Sequence, residues 1–99
     1  MTSIFHVVDA DDWATAGKAG EYRPLSLDGE GFVHFSFAEQ VDGVLQRYYQ
    51  GVGNLVLVEF DPDRLSLPVV VEDLAGSGAF PHVYGPIPTV AAVSVRPLQ

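Results

Sequence analysis

The sequence predicts an α+β fold in one domain over residues 1–99, with about five or more strands in a twisted mixed sheet and two helices. Three observations carry that expectation. Five short segments are apolar and rich in β-branched residues, and two others carry helix start signals. Glycine- and proline-rich turns separate them, with no repeat and no linker to divide 99 residues between two cores.

Ile4-Phe5-His6-Val7-Val8 reads as the first strand. Asp9 then caps a helix: Val8 and Trp13 have the spacing of a hydrophobic staple, and Asp11 and Asp12 lie where the helix dipole favours negative charge. Gly17 and Gly20 keep that helix short, and Pro24 makes Glu21-Tyr22-Arg23 extended. Gly31 to Ser36 is the second strand, with Phe32, His34 and Ser36 on one face and Val33 and Phe35 on the other. Ser36 and Glu39 have capping-box spacing, opening a helix whose core stripe is Val41, Val44, Leu45, Tyr48 and Tyr49. Gly51 to Asn54 stops it.

Leu55 to Phe60 is apolar on both faces and predicts a central strand covered on both sides. Asp61-Pro62-Asp63-Arg64 predicts a capped single turn. Val69 to Glu72 is a further strand, Leu74 to Pro88 a glycine/proline loop, and Val90 to Val95 a last strand ended by Pro97.

The formal net charge of −8 opposes non-specific binding to nucleic acid or an anionic membrane, both of which need a basic footprint, and favours a soluble monomer. With no cysteine, a disulfide scaffold, a thiolate nucleophile and every cysteine-based metal site are excluded. The three histidines lack the spacing of a metal site, so no metal is expected. The first residues show no secretory pattern and the apolar runs are short, which predicts a cytoplasmic protein.

Chemistry must then come from few residues. His6, alone in an apolar strand, is either a buried histidine bonded to a backbone carbonyl or the floor of a cleft. His34 and Ser36 point to one side of a strand running into a helix start, where an anion would be welcome, although capping alone accounts for Ser36. His82 and Tyr84 lie between prolines and glycines, as ligand-contacting loop residues do, with an exposed turn as the rival account. Glu72 is a catalytic or a solvated carboxylate, and Arg23 an anion partner or a surface charge. No phosphate loop, dinucleotide fingerprint, zinc-protease or serine-hydrolase motif is present.

Taken in order, Ile4-Phe5-His6-Val7-Val8, Gly20 to Pro24, Gly31 to Ser36, Glu39-Gln40-Val41, Leu55 to Pro62, Glu72-Asp73-Leu74 and Phe80 to Pro88 resemble the DUF952 family of small bacterial proteins, which has no established biochemical function. The family is grouped with ADP-ribosyltransferase-like domains. The resemblance implies that fold, NAD as the candidate cofactor, His6 as the ribose-binding histidine of the first strand, His34 at the second motif and Glu72 as the acidic residue. A fixed carboxylate suits the chemistry, because cleaving the nicotinamide–ribose bond builds positive charge on the sugar. Phe5 stands before His6 and only four arginines are present, so the tRNA-acting members of that grouping are poor analogues.

The expectation is a domain that binds NAD or a related nucleotide, or another small anionic molecule, with His6, His34 and Glu72 in catalytic positions and Arg23, Ser36, His82 and Tyr84 around the ligand. The rival is a non-catalytic module binding a ligand or a protein through its proline/glycine loop. A hydrolase would need two facing carboxylates, which the spacing of Glu59, Glu72 and Asp73 does not demand.

Overall fold

Three small antiparallel sheets replace the single mixed sheet expected from the sequence. The computed structural model describes residues 2–76 and 78–98. Strands β1 (Ile4–Asp9), β4 (Leu55–Phe60) and β8 (Ala92–Pro97) form one sheet in the order β1-β4-β8. A second pairs β2 (Glu21–Tyr22) with β7 (Ile87–Pro88), and a third runs β3 (Val33–His34), β6 (Phe80–Val83), β5 (Val70–Glu72). Every strand pair among the described residues is antiparallel. One bridge, Phe5 to Ser36, ties the first sheet to the third through two backbone hydrogen bonds of 2.8 Å.

The local signals around the first helix and the central strand hold. Asp9 caps α1 (Ala10–Ala19), its Oδ1 accepting from the Asp11 and Asp12 amides at 2.8 and 3.2 Å. Gly20 ends the helix at φ 85°, a left-handed position that glycine takes without a Cβ clash. Strand β4 is central and covered on both faces. One face joins Ile4, Val8, Val58 and Phe60 to Ala16 and Tyr22, while the other joins Val7, Leu55 and Leu57 to Val41 of α3 (Val41–Tyr48). Leu45 and Tyr49 complete the second layer, but Tyr48, expected in that stripe, is 66% exposed.

Four other expectations are corrected. Residues Leu25–Glu30 form a helix, α2, between Pro24 and Gly31; their single turn and a half is too short to show periodicity. The cap before α3 is built one residue later than Ser36/Glu39: Gln40 Oε1 accepts from the Phe37 amide at 2.9 Å, while the Ser36 backbone is held by Phe5. The glycine/proline segment is not one loop, for it contains β6 and β7. Pro81 lacks an amide donor, yet its carbonyl still accepts from Phe35 at 2.9 Å, so a proline is tolerated inside a central strand. The last strand starts two residues late, because Thr89–Ala91 forms a 3-10 turn, and Pro97 lies within it on a sheet edge where its missing donor costs nothing.

Candidate functional site

The Phe5–Ser36 bridge is the only place where the two sheets touch through paired backbone among the described residues, and beyond it they part. A cleft of about 990 Å³ opens there, lined among others by His6, Tyr22, Glu30, Phe32, His34, Ser36, Glu72, Phe80 and His82. Five of the seven residues singled out in the sequence line it: His6, His34, Ser36, Glu72 and His82.

His6 stands at the back, on the β1 face shared with Ile4 and Val8, with its ring against Tyr22 and Phe35 at centroid distances of 5.1 and 5.5 Å. Its Nδ1 lies 2.6 Å from the His34 carbonyl, which can only accept, so Nδ1 carries the proton. Nε2 is then a lone pair and accepts from the Tyr22 hydroxyl at 2.8 Å. Burial lowers the His6 pKa to about 4, outweighing the carbonyl contact that favours the charged ring, and burial likewise pushes the Tyr22 hydroxyl well above its usual range. Both ring nitrogens are therefore engaged by the protein, and His6 ties Tyr22 to β3.

His34 and His82 face one another in register on β3 and β6, their rings edge to face at 5.0 Å. Each is held by a carboxylate. His34 Nε2 donates to Glu30 Oε1 at 2.9 Å, and His82 Nδ1 donates to Glu72 Oε2 at 2.8 Å. His34 is half exposed; the His82 side chain is only 5% exposed, stacked on Phe32 at 4.2 Å. The expectation that His82 sits in a loop is thus overturned: it is the buried centre of a strand.

Glu72 receives a second hydrogen bond on the same Oε2, from the Tyr84 hydroxyl. That bond, with the one from His82, holds the Glu72 carboxyl below the usual carboxylate range, and the carboxylate in turn pushes the Tyr84 hydroxyl up. Tyr84 thus braces the cleft from outside its lining. Arg23 is not among the lining residues: its Nη2 lies 3.7 Å from Asp28 Oδ1, and both side chains are exposed.

Sequence reading missed Glu30 and Tyr22. Glu30 precedes His34 by four residues with Gly31 between them, a spacing that could have suggested the pair; Tyr22 carried no local signal at all. Among the described residues no group of three or more His, Asp or Glu is arranged to hold a metal ion, and no helix is long and apolar enough to cross a membrane.

Solved structures share this architecture. The crystal structure of protein CC0527 from Caulobacter crescentus matches with a TM-score of 0.87 at 26% identity, covering 99% of this chain and 87% of that one. The solution NMR structure of CC0527 gives 0.81 at 27% identity, covering 100% and 86%. No curated protein matches the sequence. The family model described as a protein of unknown function, DUF952, matches residues 7–95, nearly the whole fold, and the chain belongs to that family.

Proposed function

We propose that the protein binds a small ring-bearing molecule in this cleft, with nucleosides and NAD-type nucleotides as the first class to test. The observation that carries the reading is convergence: polar side chains from β1, β3, β5 and β6 meet in one cleft with aromatic walls. Its volume of about 990 Å³ is ample for a molecule of nucleotide size. The net charge of −8 supports a small-molecule ligand over a nucleic acid.

An ADP-ribosyltransferase-like fold and activity form the finer version of this proposal; Glu72 in the cleft lining supports it, whereas His6, with both ring nitrogens held by His34 and Tyr22, would have to give up the Tyr22 bond to reach a ribose. Turnover of that kind would use the second oxygen of Glu72, since Oε2 already accepts two hydrogen bonds.

Titrating 15N-labelled protein with adenosine, ADP-ribose and NAD, while following the histidine ring signals, tests the reading. Saturable shifts at His34 and His82 are expected. If none of the three compounds moves either signal, the cleft is not the binding site of this ligand class.

A further inference from the structure

The histidines and carboxylates of the cleft present hydrogen-bond acceptors, beside the hydroxyls of Ser26, Ser36, Tyr48 and Tyr49. An ionised carboxylate can only accept, so Glu72 fixes the proton of neutral His82 on Nδ1 and Glu30 fixes that of neutral His34 on Nε2. His82 Nε2 and His34 Nδ1 are left as lone pairs, and neither has a hydrogen-bond partner among the described residues. His82 is nineteen-twentieths buried, so this open atom belongs to a side chain that is otherwise wholly packed. Tyr22 spends its one proton on His6 Nε2 and likewise keeps only acceptor capacity.

The electrostatics point the same way. Asp9, Asp12, Glu30 and Glu72 all line the cleft, and no Lys or Arg is among its lining residues. An anion entering here would lose water and meet carboxylates with no fixed cation in return. A donor-bearing group would instead find the lone pairs of His34 and His82 as partners.

We propose that the group held against the His34–His82 pair is an uncharged or cationic nitrogen donor, an amide or amidinium, and that these two histidines select it against phosphate and carboxylate. This rests on the reading of the cleft as a ligand site and narrows it: of a nucleotide, the base or amide end would enter here and the phosphates would stay outside.

Three probes of one shape separate the outcomes: benzamidine, benzamide and benzoate carry the same ring with a cationic, a neutral and an anionic head. Titrated at pH 7.5 into the labelled protein, benzamidine and benzamide are expected to shift the His82 and His34 ring nitrogens saturably. Benzamidine should bind about tenfold or more tighter than benzoate, since like-charge juxtaposition is strongly penalised. Long-range 1H–15N spectra of the free protein should show the Nδ1–H form of His82 and the Nε2–H form of His34. His34→Phe, at a half-exposed position where folding is not at stake, should reduce benzamidine affinity severalfold. Equal or tighter binding of benzoate, or a proton on His82 Nε2, overturns the inference while leaving the cleft a ligand site. If no probe moves these signals and the adenosine series is silent too, the ligand-site reading itself falls.

Discussion

His6 donates through Nδ1 to the backbone carbonyl of His34 at 2.6 Å, linking the first strand to the third across 28 residues of sequence. The bond does two things. It fixes the His6 tautomer, which makes Nε2 the acceptor for Tyr22, and it anchors β3 beside β1 where the two sheets otherwise part. His6 is thus the brace of the cleft's back wall and not a free group within it.

Removing that brace should be costly. His6→Ala leaves the Tyr22 hydroxyl and the His34 carbonyl without their partner and opens space beside Phe35. With one of these bonds part-buried and the other exposed, a loss of about 1–3 kcal/mol is expected in urea denaturation. A midpoint unchanged from wild type would show that water replaces both bonds and that the brace is unimportant.

The same burial gives stability a pH dependence of definite sign. The folded His6 pKa is about 4 against an ordinary value of 6.5, so the fold favours the neutral ring. Between those values the unfolded chain takes up a proton that the folded chain refuses. The stabilising difference is therefore fully present above pH 6.5 and is lost as pH falls towards 4, by up to about 3 kcal/mol. Unfolding free energies at pH 7, 5.5 and 4 should show this decline, and His6→Gln, which has nothing to titrate there, should show a shallower one. Equal slopes would assign the decline to carboxylates.

What was legible in the sequence was local. Asp9 caps α1 because Asp–backbone geometry is settled within four residues, and β4 is central because its two apolar faces say so without reference to any partner. The site was half legible for the same reason: His6, His34 and His82 are few enough to find by inspection, but their partners come from 4 to 28 residues away. Pro81 hid β6, since the rule that proline breaks strands says nothing of a carbonyl still free to accept. Arg23 drew notice by scarcity of positive charge, and the structure sets it beside Asp28, outside the cleft lining.

The relocated cap before α3 separates two adjacent residues. Gln40 accepts from the Phe37 amide at 2.9 Å and donates to the Ala79 carbonyl at 2.8 Å, whereas no hydrogen bond engages the Glu39 side chain among the described residues. Gln40→Ala is expected to lower stability by about 1 kcal/mol, and Glu39→Ala to stay within about 0.5 kcal/mol of wild type. Thermal or urea unfolding of the two variants side by side gives the answer, and a reversed order would restore the Ser36/Glu39 box.

Tyr84 and Glu72 should betray one another on titration. The Tyr84 hydroxyl is the first cause of the low Glu72 pKa, with His82 second, and the Glu72 carboxylate is the first cause of the raised Tyr84 pKa. In Tyr84→Phe the Glu72 carboxyl should titrate at higher pH than in wild type while remaining depressed by His82, read from its side-chain 13C signal. In Glu72→Gln the Tyr84 hydroxyl should ionise closer to its ordinary value of 10.0, read from tyrosinate absorbance. The sign for stability follows: a depressed carboxylate stabilises the fold above its unfolded pKa of about 4.5 and stops doing so as pH falls through the folded value. Tyr84→Phe should therefore be less sensitive to acid than wild type in that window, even if less stable at neutral pH. If both titrations stay where they are in wild type, the shared Oε2 is not the hinge of this cluster, and the orientation of His82 must be set by its stacking on Phe32 alone.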